Sequence, residues 1–386
     1  MTIVSFSLLA LVVFVGLLGP LFSLRGVWRI PVVVGELAGG LLIGTSGLRL
    51  VDAQTDDFRL LADIGFGLTM VVVGSQIPVR DPVARAALPR GILGAVAVGV
   101  AAAVLAVVLA ATFGTGHAAL YGVVLASSSA AIVLPMLQSV GLPRASVGQL
   151  VAQIAVADIV CIVALPLVIE PSRAGPAALG ALAIAAAALV LYFVLIRIDK
   201  TGLRARMHQY SERRRFALEL RFSLLTLFAF GAIAQFTDLS IMLAGFSLGI
   251  LLSATGEPRR LARQLFGMTE GFFGPLFFVW LGASLDLRAF AAHPFMILLG
   301  VALGVAAVVA HLASRVAGLG WVHSLTSAGQ LGVPVAAVTL GIQAGSLAPG
   351  EGAAVLLGAL ITVAVAAAAT GVAKRRVPAA EGAAHS

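Results

Sequence analysis

Cysteine is nearly absent from these 386 residues: Cys161 stands alone, so no intrachain disulfide can form and the redox compartment is left unread. Charge is also scarce, with Asp, Glu, Lys and Arg together at 11% against 60% hydrophobic residues and a mean hydropathy of +1.07. Soluble domains carry about 25% charge, so this composition excludes a water-exposed globular surface and makes lipid the solvent. The formal charge of +8 does not gather into a basic patch; it is spread through short links between apolar runs, which argues against a nucleic-acid partner. No basic leader or small-residue cleavage site accompanies the first apolar run from Ile3, which is therefore expected to be a mature span.

What is present is a series of thirteen apolar segments, near 3–22, 30–48, 58–78, 89–113, 117–140, 147–169, 175–196, 217–236, 239–254, 262–285, 294–314, 322–345 and 351–373. Basic residues fall mainly in alternate links: Arg25 and Arg29; Arg80, Arg85 and Arg90; Arg144; Arg197 to Arg215; Arg259, Arg260 and Arg263; and Lys374 to Arg376. By the positive-inside rule the N-terminus is outside and the C-terminus cytoplasmic, in a multi-pass protein of the inner (cytoplasmic) cell membrane. The strongly basic link after the seventh segment suits anionic lipid.

An odd number of spans allows two six-span halves of opposite orientation joined by a seventh helix. Weak internal similarity supports them: Leu37-Ala38-Gly39 matches Leu243-Ala244-Gly245, and Gly74 with Arg80 matches Gly282 with Arg288. The expected organisation is an all-α membrane domain over 1–373, divided into a first repeat (1–170), a linking helix with basic loop (171–216) and a second repeat (217–373), then a short cytoplasmic tail at 374–386.

Asp158 lies halfway along 147–169 with no second charge in the run. A rise of about 1.5 Å per residue puts it near the middle of a roughly 30 Å hydrocarbon core, where an ionisable group costs at least about 2.5 kcal/mol and usually marks an ion pathway. The plainer alternative, a structural carboxylate paired with a basic neighbour, lacks such a neighbour in this span.

The fifth and twelfth segments, equivalent if the halves are, both carry a mid-span proline beside small polar residues. One reads Ser127-Ser128-Ser129 then Pro135; the other Thr326-Ser327-Ala328-Gly329-Gln330 then Pro334. Such sequence either kinks a helix or breaks it, and paired broken helices point to a transporter's binding site.

These stretches resemble the monovalent cation:proton antiporters of the sodium/hydrogen exchanger superfamily, especially the bacterial cation:proton antiporter-2 branch. The resemblance is carried by Pro31 to Gly39 and on to Gly47-Leu48, Ser127 to Pro135, Gln149 to Val160, and Pro275 to Gly282. It implies a homodimer, two inverted repeats and two crossing broken helices, here the fifth and twelfth segments. It also implies exchange of Na+ or K+ for H+ by alternating access, with no cofactor and no enzymatic chemistry. Proton and cation would compete for Asp158, the one group that holds a metal ion and then only as cargo, with Ser128, Ser129 and carbonyls freed near Pro135 as oxygen ligands.

The sequence departs from the family pattern at Ala157-Asp158, where many members carry two polar groups, and at Ala328-Gly329-Gln330, where many carry Arg-Gly-Glu. The first departure predicts electroneutral one-for-one exchange. The basic residue expected in the preceding helix is either His311 or Arg315, one turn apart; for Arg315 an anchor at the helix end is the competing role. Glu36 matches the family's Gly-Glu in the second segment and is a third candidate auxiliary charge; its place near a helix start, where a carboxylate complements the dipole, makes a structural role the competing one. Asp63, Glu219 and Glu270 are expected near span ends, and His117, His208, His293 and His323 at the surface of links. Two other classes stand beside transport. A non-transporting membrane sensor or channel-like subunit would fit the altered twelfth segment. An intramembrane serine protease would use Gly44-Thr45-Ser46-Gly47, which reads more simply as a turn.

Overall fold

The computed structural model describes residues 5–24, 32–77, 79–130, 132–133, 136, 144–202, 206, 210, 214, 216–237, 239–256 and 259–383. Among them the regular structure is helical. In chain order the α-helices are α1 Phe6–Gly16, α2 Leu18–Leu24, α3 Val32–Ile43, α4 Asp56–Ser75, α5 Pro82–Ala86, α6 Leu88–Phe113, α7 Ala118–Ala126, α8 Arg144–Ile169 and α9 Ala174–Lys200. They continue as α10 Leu218–Phe236, α11 Ile241–Thr255, α12 Arg259–Met268, α13 Gly274–Ser284, α14 Leu287–Ala292, α15 Pro294–Leu312, α16 Trp321–Ser327, α17 Gly332–Ala344 and α18 Glu351–Ala383.

Nine described helical stretches are long and apolar enough to cross a bilayer, and they fall on the third, fourth, sixth to eighth and tenth to thirteenth expected segments. Shorter apolar helices occupy the first, second and ninth. The fifth appears as α7, only nine residues long. Helix ends follow local chemistry. Asp81 accepts the amide of Val83 at 2.9 Å and is followed by Pro82, which starts α5. Gly114, at φ +65°, ends α6 in the left-handed conformation that glycine adopts without strain.

The tenth segment departs from a plain span: α12 passes through a π turn, Thr269–Phe273, into α13. Pro275 cannot donate to the carbonyl four residues back, so the ladder widens there. Glu270, expected near a span end, instead sits in this turn, inside the stretch Arg260–Ser284.

The chain divides into two compact units, each drawing on both halves of the sequence: 1–76 with 175–287, and 77–174 with 288–386. In the first, α3 packs on α13, and α4 on α11, through glycines that let backbones meet. A side chain on Gly40 would strike the carbonyl of Val279, and one on Gly245 the carbonyl of Gly67. The turn after α3 is latched to the end of α13. Ser46 Oγ donates to Leu285 O at 2.6 Å and accepts from Leu287 N at 2.7 Å, so the Gly44–Gly47 motif serves as a turn. Glu36 is buried in α3, its fifth residue.

The second unit holds α5 to α8 and α15 to α18. Its core includes Ala130, Val133, Leu150, Ile154 and Leu319, which brings one face of α8 against the residues that follow α7.

Candidate functional site

The α7 helix stops at Ala126 because Ser127 turns to extended backbone, φ −74° and ψ 154°, and helical geometry resumes at Ala130. The break therefore occupies Ser127–Ser129. Pro135 lies outside the described residues. The interruption comes eight residues earlier in the chain, at a run of hydroxyls that offer the backbone alternative hydrogen bonds. Ser129 is buried, and its carbonyl accepts from the amides of Ile132 (3.2 Å) and Val133 (2.9 Å), opening the next helical turn.

The twelfth segment is broken likewise. α16 ends at Ser327, residues 328–331 are non-helical, and α17 begins at Gly332. Pro334 is not the kink; it is the third residue of α17, where the missing N–H is one that a helix start leaves unpaired anyway. Gly329 is buried against Ala366, to which an added side chain would come within 3.0 Å.

The two breaks hold each other. Ser128 Oγ donates to Ser327 O at 2.8 Å, and the Ser127 hydroxyl lies 2.8 Å from both Gln330 Oε1 and Val124 O. Gln330 N reaches Thr362 Oγ1 of α18 at 3.4 Å. Carbonyls freed by one unwound stretch thus meet hydroxyls of the other, as broken helices in a membrane require.

Asp158 comes to the same place from α8. It is 2% exposed, and its Oδ2 accepts the amide of Ala130 at 3.3 Å, the first N–H of the turn that restarts after the break. A helix start presents unpaired N–H groups and partial positive charge, which suits a carboxylate. Among the described residues no Lys, Arg or His forms an ion pair with Asp158.

The structure separates the two basic candidates. His311 is fully buried; its Nδ1 donates to Ala307 O at 2.8 Å, and its Nε2 lies 3.2 Å from Ser128 Oγ. Arg315, in the 3₁₀ turn Ala313–Ala317, is exposed and stacks over Trp321 at 3.9 Å from the ring centre. The switch to 3₁₀ geometry turns Arg315 off the face that His311 occupies.

Sequence reasoning missed Glu351. The first residue of α18, it is fully buried: Oε1 accepts from Tyr121 Oη at 2.6 Å and pairs with His117 Nδ1 at 2.7 Å, while Oε2 accepts from Ala348 N at 2.8 Å. His117, expected to be an ordinary surface histidine, is half-buried in this pair. The available signal was His117 and Tyr121 four residues apart at a span start, matched by a lone acid at the start of the last span. His323 is also half-buried, with Nε2 enclosed, whereas His293 is exposed as expected; His208 lies outside the described residues. Gln149 and Gln153 of α8 are buried; Gln149 donates to Ala317 O at 2.8 Å.

Comparisons with known proteins fit this arrangement. The family model for the transmembrane part of sodium/hydrogen exchangers matches residues 9–375. The glutathione-regulated potassium-efflux system protein KefC of Klebsiella pneumoniae (strain 342) is 30% identical over 279 residues, 69% of this chain and 43% of KefC. The putative Na(+)/H(+) antiporter YjbQ of Bacillus subtilis (strain 168) is 25% identical over 298 residues, 73% of this chain and 48% of YjbQ. The chain thus matches less than half the length of either relative. The solved structure of the sodium proton antiporter MjNhaP1 from Methanocaldococcus jannaschii superposes with a TM-score of 0.62 over 96% of both chains at 17% identity, and so shares the fold.

Proposed function

The chain belongs to the sodium/hydrogen exchanger family, and from that premise we propose that it exchanges a monovalent cation for H+ by alternating access, the two ions competing for Asp158. The observation that carries this reading is the meeting of a buried carboxylate, which has no basic partner among the described residues, and the start of a broken helix. A bare carboxylate is costly there, and a proton or a cation relieves the cost equally well, so an empty site stalls and a filled one moves. The hydroxyls and carbonyls of Ser127–Ser129 supply hard oxygen ligands for a small cation. With alanine at 157, one proton exchanges for one cation, without net charge movement.

KefC is named for potassium efflux and YjbQ for sodium, so both ions are candidate substrates. We further infer a homodimer in the cytoplasmic membrane, N-terminus outside and C-terminus inside, built from inverted repeats at 1–170 and 217–373 joined through 171–216, with 374–386 as a cytoplasmic tail. The reciprocal pairing of α3 with α13 and α4 with α11 supports the repeats, because a two-fold relation exchanges the second span with the ninth and the third with the tenth.

The test is cation-driven proton movement in liposomes carrying the purified protein, with sodium, potassium and lithium offered in turn. Dissipation of an imposed pH gradient by one cation establishes exchange and names the substrate; no response to any of them would remove the proposal in favour of a sensor. His311 serves as the auxiliary group and Arg315 does not. His311→Ala is expected to lower exchange about tenfold, since it removes the buried imidazole that lies 3.2 Å from Ser128 Oγ and leaves a void beside the break, and Arg315→Gln to leave initial rates unchanged.

A further inference from the structure

We propose that Glu351 is a positioning residue for the ion site, closing a ring of three helices that fixes the two breaks relative to each other; this rests on the function proposed above. Three contacts make the ring. At its first corner the end of α7 meets α15, where Ser128 Oγ lies 3.2 Å from His311 Nε2. At the second, α15 and α18 are locked by glycines: a side chain on Gly300 would fall 2.9 Å from Ala354 O, one on Gly304 2.8 Å from Ile361, and one on Gly358 3.1 Å from Gly300 O. At the third, α18 returns to α7 through Glu351, which holds His117 and Tyr121.

The distances make this more than a local tie. α7 is a rod of about 13.5 Å from Ala118 to the break, and about 16.5 Å of α18 separate Glu351 from Thr362, which meets Gln330 in the other break. Each helix anchored by Glu351 therefore runs straight to one break. Two points on a rigid rod fix its direction; with the outer point released, α7 pivots on Ser128 and shifts Ser127–Ser129 against Asp158. The carboxylate is not itself a second cation site. Its two oxygens already take Tyr121 Oη, Ala348 N and His117 Nδ1, and the residue is fully enclosed. It has no opening to solvent.

The test uses the full chain carrying Glu351→Gln, His117→Gln, both together, and Tyr121→Phe, which removes one donor while keeping the ring in place. In liposomes Glu351→Gln is expected to raise the cation KM about tenfold, with kcat within about twofold, as befits a misplaced site rather than a lost one. The double variant should be no worse than Glu351→Gln, because both changes cut the same tie. Hydrogen–deuterium exchange on the purified protein should show faster uptake at both breaks, residues 126–130 and 327–332, in Glu351→Gln and, less strongly, in Tyr121→Phe. Faster uptake confined to the outer ends, residues 115–121 and 347–354, or additive losses in the double variant, would overturn the positioning role. If the wild-type protein exchanges no cation, the function proposed above fails, and uptake at the breaks still decides whether Glu351 holds them.

Discussion

Asp158→Asn is expected to reduce cation-driven proton movement to the level of empty liposomes while leaving the protein folded. Asparagine has nearly the same shape and keeps an oxygen to accept the amide of Ala130, so the contact that holds the side chain survives. What disappears is the negative charge. At 4 Å and an effective dielectric constant of 20, that charge attracts a monovalent cation by about 4 kcal/mol, roughly three orders of magnitude in affinity. The amide also accepts no proton in the working range, so both ions lose their site together, and a site that cannot distinguish full from empty cannot couple them. Asp158→Glu separates charge from geometry: it keeps the carboxylate, adds a methylene in a buried site, and should retain measurable but reduced exchange. Unfolding curves and elution profiles that match the wild type would show that the loss belongs to transport. Full exchange by Asp158→Asn would sink the competition mechanism and move the ion site to another residue.

Much of this site was legible in the sequence because membranes punish unpaired polar groups. A lone acid in an apolar run, and hydroxyl runs beside proline in two segments, stand out against such a background, and the structure brings Asp158, Ser127, Ser128 and Gln330 together. Ser127, expected from the sequence as one of the break residues, is where α7 ends, through local side-chain hydrogen bonding; Pro135 lies outside the described residues. Two things were not legible. His311 and Arg315 could not be separated, because a regular helix would put them on one face and only the 3₁₀ turn sends them apart. Glu351 was overlooked because an acid at a span start resembles an interfacial cap; its burial depends on His117 and Tyr121, more than 200 residues away in sequence.

The glycine-lined pairs of the other unit carry the second large expected effect: Gly282→Val should prevent recovery of a monodisperse folded protein. Lipid tails are as apolar as leucine, so helices in a bilayer gain little from burying apolar surface and depend on close packing instead. Any side chain on Gly282 would strike the carbonyl of Leu37 and come within 3.1 Å of Gly40 Cα, and backbone cannot move aside as a flexible side chain can. Forcing α3 and α13 apart costs about 3 kcal/mol or more, because it overpacks one contact and voids those around it. Gly99→Val in α6 is the control. An added side chain there meets nothing within 4 Å, so the substitution tests valine in a membrane helix without the collision and should be tolerated. The same comparison bears on the proposed repeats. If α4 with α11 is the counterpart of α3 with α13, Gly74→Val, which strikes the carbonyl of Phe246 and comes within 3.1 Å of Gly249 Cα, should be as damaging as Gly282→Val. A mild Gly74→Val beside a lethal Gly282→Val would mean that the two pairs bear unequal loads, and the reciprocal packing would lose its value as a sign of two equivalent halves.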